Sequence, residues 1–306
     1  MQKILFLDTE TTGNEPDTDR LCQVCWMEGG TYHTEYFKPP IPISVKSMSI
    51  THITNKMVAN KPAFADSEFR RELEEALADH ILVAHNARFD MAMLAAEGVE
   101  VPRHICTLRV ARYLDPESKI PEYGLQFLRY FLDLDVSGSA AAGEYATALG
   151  FSKAGVPAKK ISAAACEDAT PLGFSEAGVP AKKISAAAGE YATALGFSKA
   201  GVPAKKISAH DAEGDVRVLA ALFERLFKKM QESGEYKTDD EILDAMCRIS
   251  ETPSFIAVFQ FGKYKGVRVA DVAKTDRGYL QWLLQQKLAD GGQDEDWIFT
   301  LKTYVG

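Results

Sequence analysis

An apolar segment that ends in two carboxylates constrains the fold of this chain most strongly. Residues 4–13 read ILFLDTETTG, so four apolar residues run directly into Asp8 and Glu10. The apolar run predicts a buried strand, and residues two apart in a strand project from the same face. Two like charges at the end of a buried strand repel each other strongly. Either a bound cation relieves that repulsion or the strand end is solvated.

Two further segments place an acid at the start of a helix. Residues 81–90 read ILVAHNARFD, a short apolar strand that turns into a helix near Asp90. Residues 210–215 read HDAEGD, and apolar residues at helical spacing follow Asp215. A single acid at a helix N-terminus is explained by the helix dipole alone. Four acids on separate buried elements, with His210 beside the last, instead indicate a site for hard divalent cations such as Mg²⁺ or Mn²⁺.

Taken together, DTETTG, HNARFD and HDAEGD resemble the three motifs of the DEDDh group of 3′-5′ exonucleases, which includes DnaQ-like proofreading subunits and ribonuclease T. The resemblance covers residues 1–139 and 209–230. It implies an α/β fold of the ribonuclease H-like type, in which a mixed central sheet is flanked by helices. It also implies that His210 takes the proton from an attacking water and that four carboxylates hold two divalent metal ions, Mg²⁺ or Mn²⁺. Those carboxylates are Asp8, Glu10, Asp90 and Asp215.

The reaction implied by this resemblance is hydrolysis of phosphodiester bonds at single-stranded 3′ ends, with release of nucleoside 5′-monophosphates. DNA is the preferred substrate and RNA stays open, because proofreading, repair and RNA trimming share this catalytic core. Association with a polymerase is compatible with the same core. The alternative is a non-catalytic nucleic-acid-binding or scaffold protein whose site is impaired by an insertion.

Residues beside the motifs are candidates for substrate binding. The segment SMSITHIT, residues 47–54, resembles the part of the family that lines the pocket for the terminal nucleotide. Core packing is an equal alternative for the apolar candidates. The candidates in this part of the chain are Thr11, Thr12, His52, Ile53 and Phe89.

A tandem repeat of 23 residues separates the second motif from the third. Residues 140–162 and 186–208 are identical, and residues 163–185 differ from them at four positions. Two structured interpretations of the repeat are disfavoured. Glycine and Val-Pro pairs in each unit argue against a solenoid. A proline at the position of the recognition helix argues against a helix-turn-helix. Extra length in a surface loop costs little, so we interpret residues 140–208 as an insertion. The insertion ends two residues before His210. Either it lies over the substrate cleft and narrows the entry, or it loops outward.

The C-terminal part of the chain predicts a small accessory domain of the α+β class. Its segment FGKYKG, residues 261–266, predicts a tight hairpin that exposes Lys263, Tyr264 and Lys265. These side chains can stack on a base and contact phosphate, or the aromatic residues can form a small core of their own. The region resembles a small domain that follows some bacterial exonuclease domains. The predicted division is an exonuclease domain at residues 1–139 and 209–235, the insertion at 140–208, and the accessory domain at 236–306.

Composition narrows the class of protein further. A net charge of -8 excludes a basic protein that coats DNA through a global positive field. No apolar run reaches the length that crosses a membrane, so no membrane association is expected. Five scattered cysteines suit a reducing compartment, and we expect a cytoplasmic protein. Cys22 and Cys25 form a lone CxxC in an apolar segment, which predicts buried thiols in a strand and not a zinc site.

Overall fold

The computed structural model describes residues 2–136, 211–289 and 294–306. These ranges belong to a single compact unit. The predicted insertion at residues 140–208 and His210 lie outside the described residues.

A mixed five-stranded sheet forms the centre of the described chain, as the sequence predicts. The strands lie in the order β3-β2-β1-β4-β5. The pairs β3–β2 and β2–β1 are antiparallel, whereas the pairs β1–β4 and β4–β5 are parallel. The strands are β1 (Lys3–Thr11), β2 (Leu21–Glu28), β3 (Thr31–Tyr36), β4 (His80–Ala84) and β5 (His104–Cys106).

Helices cover the sheet and build the C-terminal part. The first six are α1 (Val45–Thr51), α2 (Asn55–Val58), α3 (Glu68–Leu77), α4 (Ala87–Ala96), α5 (Thr107–Tyr113) and α6 (Leu125–Phe131). The next five are α7 (Ala212–Glu232), α8 (Asp239–Glu251), α9 (Val269–Thr275), α10 (Arg277–Ala289) and α11 (Glu295–Val305). Within the described ranges, no helix is long and apolar enough to cross a membrane.

The alternation of side chains along β1 builds two apolar layers. Ile4 and Phe6 face a cluster that contains residues of α7 and α8, whereas Leu5 and Leu7 face a second cluster with residues of α3 and α4. Because successive strand residues point to opposite faces, one continuous apolar run serves both layers. The CxxC of β2 is buried, as expected: Cys22 and Cys25 are free thiols inside the fold.

The C-terminal helices add a third, smaller apolar cluster around Phe259 and Trp297. The FGKYKG segment forms a tight reversal in which Val258 and Arg268 make one antiparallel bridge, with a short 3-10 turn at Gly262–Tyr264. Among the described residues of this part, that bridge is the only β-structure. Helix α8 packs in the apolar cluster that contains α7 and not in this third cluster.

Candidate active site

Three structural elements bring the predicted acids to one edge of the sheet. Asp8 and Glu10 lie on the second half of β1, beyond the pairing of Phe6 with Val83 of β4. Since β1 and β4 are parallel, their carboxyl ends meet at the same edge. Helix α4 begins there and carries Asp90 in its first turn, and helix α7 carries Asp215 in its first turn.

Carboxylate oxygens of Asp8, Glu10 and Asp215 all lie within 4.8 Å of one another. Glu10 and Asp215 are buried and Asp8 is half-buried. Asp90 is only 3% exposed and lies beside this group, where its Oδ1 accepts a hydrogen bond of 2.8 Å from the hydroxyl of Thr9. The four acids that the sequence predicts therefore lie close together. Asp90 is hydrogen-bonded to β1, the strand that carries Asp8 and Glu10.

Burial and mutual repulsion change the acidity of this group. Burial raises the pKa of Asp8 well above its usual range, and the charges of Asp90, Asp215 and Glu10 raise it further. Burial, followed by the charges of Asp215 and Asp90, raises the pKa of Glu10 to about 8. Burial raises the pKa of Asp90 to about 7, although the hydrogen bond from Thr9 opposes this shift.

This donor set fits divalent cations. Oxygen-only ligands at short mutual distances are the preferred environment of Mg²⁺ and Mn²⁺. Without a cation, the raised pKa values mean that protons neutralise part of the charge near neutral pH. A cation bound by Asp8, Glu10 and Asp215 would take the place of those protons.

Sequence reasoning missed two residues that contact the acidic group. Gln126 of α6 donates a side-chain hydrogen bond to Asp215 Oδ1 at 2.5 Å. Asp211 lies at the start of α7, accepts a hydrogen bond from Gln23 at 3.2 Å, and raises the pKa of Glu10 through its charge. Asp211 belongs to the HDAEGD motif, so its acidity was visible in the sequence; nothing local identifies Gln126.

Thr11 and Thr12, both predicted to bind substrate, are buried and hold the loop after β1. The Thr11 hydroxyl donates to the Gly13 carbonyl at 2.5 Å. The Thr12 hydroxyl donates to Asp19 Oδ1 at 2.8 Å and accepts from the Arg20 amide at 3.0 Å. Their side chains therefore shape the rim of the site through contacts within the protein.

The other candidates near the motifs occupy different environments. Ile53 is 2% exposed and packs with Ile43 and Val58, which favours the core-packing alternative. His52 is exposed, at the left-handed C-cap position of α1. Phe89 is half-buried against the second apolar cluster and also lines a cavity of about 560 Å³ beside the first turn of α4.

Two of the three C-terminal candidates make contacts within their own turn and its neighbour Asp276. The Tyr264 hydroxyl donates to Asp276 Oδ2 at 2.6 Å, and the Lys263 ammonium donates to the same oxygen at 2.9 Å. The Tyr264 ring packs against Phe259. Lys265, in contrast, is exposed. Of the three predicted contacts, two are thus engaged in holding the turn.

Comparison with protein families identifies the domain to which this site belongs. Residues 5–141 match the family described as Exonuclease, of the ribonuclease T type. The chain therefore contains an exonuclease domain. Residues 259–287 match a second family, described as Exodeoxyribonuclease X-like C-terminal, and this match covers the tight turn together with α9 and most of α10.

Two curated proteins and one solved structure illustrate what this chain is similar to. Exodeoxyribonuclease 10 of Escherichia coli K12 is 28% identical over 281 residues, which cover 91% of this chain and 89% of that protein. The PolC-type DNA polymerase III of Thermotoga maritima is 35% identical over 148 residues, 43% of this chain and 11% of the polymerase. Among solved structures, exonuclease X in complex with 5′ overhanging duplex DNA is 20% identical, with 79% of this chain and 99% of that chain covered and a TM-score of 0.44.

Proposed function

We propose that this protein is a metal-dependent 3′-5′ exonuclease that removes nucleoside 5′-monophosphates from single-stranded ends. The observation that carries the proposal is the convergence of Asp8, Glu10 and Asp215 within 4.8 Å, where the first two acids lie in the segment that matches the Exonuclease family. The name of the Escherichia coli relative, Exodeoxyribonuclease 10, supports DNA as the substrate. Similarity to the PolC-type polymerase supports association with a polymerase as part of the same proposal.

The ligands of two Mg²⁺ or Mn²⁺ ions in this proposal are Asp8, Glu10, Asp90 and Asp215. Such ions, when bound, activate water and stabilise the leaving oxygen of a phosphodiester. Thr9 orients Asp90 and Gln126 orients Asp215, so both carboxylates are held before substrate arrives. The motif assigns His210 the removal of a proton from the attacking water, a task that suits an imidazole near neutral pH.

The protein's cytoplasmic location belongs to the same proposal. Four cysteines of the described chain are free and buried, which suits a reducing compartment. Thr11, Thr12, His52, Ile53 and Phe89 stay in the proposal as residues that shape the entrance for the terminal nucleotide. For Thr11, Thr12 and Ile53 this role is indirect, because their side chains contact protein.

The test is digestion of a 5′-labelled single-stranded DNA oligonucleotide with Mg²⁺, with Mn²⁺ and with EDTA. We expect a ladder that shortens from the 3′ end, requires the metal and disappears in Asp8→Ala. Asp79→Ala is the matched control, because Asp79 is an exposed aspartate paired with Lys3 on the far side of the sheet from β1's acidic end. An RNA oligonucleotide of the same sequence decides between the two substrates.

A variant that lacks residues 140–208 tests the alternative of an impaired, non-catalytic site. If the full-length protein binds the oligonucleotide without cutting it and the deletion variant cuts, the insertion is inhibitory and the domain is still an exonuclease. If neither protein cuts DNA or RNA with either metal, the proposal is wrong.

A further inference from the structure

The C-terminal part presents an exposed tryptophan in a basic environment. Trp282 on α10 is 53% exposed, whereas Trp26 and Trp297 are 4% and 5% exposed. Its indole lies one helical turn after Tyr279, with ring centroids 5.5 Å apart and planes inclined by 33°. A large aromatic side chain held at the surface beside a second ring offers a flat apolar face to an external partner.

Charge indicates which partner suits this face. Residues 259–289 contain six lysine or arginine side chains and two aspartates, although the whole chain has a net charge of -8. Both aspartates already have partners, since Asp271 pairs with Lys274 and Asp276 with Lys263. Within the ranges that the structure describes, three cations of this segment form no ion pair: Lys265, Arg268 and Arg277. The segment therefore carries positive charge that is not neutralised internally.

Asp276 connects this charge to the aromatic face. Its carboxylate accepts from Lys263 and Tyr264 of the turn and, through Oδ1, from the backbone amide of Tyr279 at 3.0 Å. The Lys263 ammonium lies 4.8 Å from the Tyr279 ring centroid. The turn that contains Lys265 is thus joined through Asp276 and Lys263 to the Tyr279 ring, which lies beside Trp282.

We infer that this surface, defined by Lys265, Arg277, Tyr279 and Trp282, binds single-stranded nucleic acid. Trp282 stacks on an unpaired base, and Lys265 and Arg277 contact phosphates. Tyr264 and Lys263 hold the surface together and do not themselves stack. The inference deepens the proposed function, on which it rests for the identity of the strand: the surface holds a part of the substrate remote from the end being cut.

Intrinsic fluorescence tests the inference directly, because Trp282 is the exposed tryptophan of the three in the chain. The full-length protein is titrated in EDTA, where no cutting occurs, with oligothymidylate and oligouridylate of about 20 nucleotides and with a blunt duplex. We expect saturable quenching by the single strands, weakened by added salt, and none by the duplex, whose bases already stack on each other.

Two variants distinguish stacking from general adhesion. Trp282→Ala lowers the affinity for the oligonucleotide about tenfold by fluorescence anisotropy, because one stacked base is lost. Phe299→Ala is the matched control, since Phe299 is an exposed aromatic residue of the same part (43%) and leaves the affinity unchanged. Thermal unfolding of both variants establishes that they fold.

Cleavage of a trinucleotide with Mg²⁺ separates this inference from the proposed function. A trinucleotide occupies only the catalytic site, so Trp282→Ala leaves its kcat and KM unchanged and raises KM for the long strand. Absence of quenching, or equal loss of affinity in Phe299→Ala, overturns the surface while the exonuclease can still be active. Quenching without any cleavage supports the surface and contradicts the exonuclease.

Discussion

Replacing Glu10 by glutamine should stabilise the metal-free protein, although it removes a proposed metal ligand. Glu10 is 8% exposed and lies near Asp215, Asp90 and Asp211, whose charges together with burial raise its pKa to about 8. In the unfolded chain its pKa is near 4.5. At neutral pH the folded protein therefore holds a proton on Glu10 that the unfolded chain releases. Because the proton becomes harder to retain as the pH rises, the free energy of unfolding falls with increasing pH.

The magnitude follows from the two pKa values. The contribution of Glu10 to the free energy of unfolding is fully present below pH 4.5 and is lost as the pH rises through about 8. At pH 7 the loss amounts to about 3 kcal/mol, since one pKa unit corresponds to about 1.4 kcal/mol. A buried amide also loses hydration, so we expect Glu10→Gln to gain about 1–3 kcal/mol in EDTA at pH 7. At pH 5 the gain should fall below about 1 kcal/mol.

Urea unfolding, followed by circular dichroism at pH 5 and pH 7, measures this difference. Each titration is run in EDTA and again with saturating Mg²⁺. The cation should stabilise the wild type more than Glu10→Gln, because a ligand that binds only the folded state raises its stability by an amount that grows with the logarithm of the affinity. The difference in unfolding free energy between the two proteins should therefore become smaller or change sign when Mg²⁺ is added.

Glu35→Gln is the matched control, because it makes the same chemical change at an exposed position of β3. It should leave stability unchanged at both pH values, with and without Mg²⁺. If Glu10→Gln is no more stable than the wild type in EDTA at pH 7, the carboxylates do not repel one another as the geometry requires. Repulsion among these carboxylates would then provide no driving force for binding a cation.

Single side-chain contacts lead to three more expectations. Gln126→Leu removes the hydrogen bond to Asp215 and should weaken Mg²⁺ binding about tenfold by isothermal titration calorimetry. Asp296→Ala removes the carboxylate that faces Arg109, which is 3% exposed, and should cost about 3 kcal/mol in urea unfolding. Burial lowers the pKa of His85 to about 4, so NMR should show a neutral imidazole at pH 5. That depressed pKa contributes stability that is complete above about pH 6.5 and is lost as the pH falls toward 4.

Each of these expectations has its own control or contrary result. Gln281→Leu changes an exposed glutamine on α10 and should leave Mg²⁺ binding unaltered. Asp79→Ala removes an exposed ion pair with Lys3 and should not change unfolding measurably, so equal effects of the two aspartate substitutions would contradict the importance of burial. An imidazole of His85 that titrates near 6.5 would contradict its burial between the Thr107 hydroxyl and the Tyr123 carbonyl.

Local pattern predicted the parts of the site that depend on single elements. The apolar run before Asp8 forms β1, and the acids of the other motifs open α4 and α7 as expected. The mixed sheet is likewise confirmed. The role of His210 and the course of the insertion stay predictions, because both lie outside the described residues.

Exposure was harder to predict than position. Of the turn that the sequence predicts to be exposed, Lys263 and Lys265 are exposed, whereas Tyr264 is half-buried and donates a hydrogen bond to Asp276, twelve residues after it. Trp282, in contrast, is a large apolar residue of α10 and is nevertheless exposed. Which face of a short helix is covered depends on the neighbouring chain, and periodicity alone does not supply that information.

The sequence by itself determined where the acids stand along the chain and which elements carry them, because strand and helix periodicity are local properties. Only the tertiary structure decided their mutual distances, the hydrogen bonds from Thr9 to Asp90 and from Gln126 to Asp215, and the packing of α8 with the first domain. Those features depend on the register of β1 against β4 and on the placement of helices over the sheet. The two hydrogen bonds join residues 81 and 89 positions apart in the chain, and burial of the whole apolar core selects such contacts.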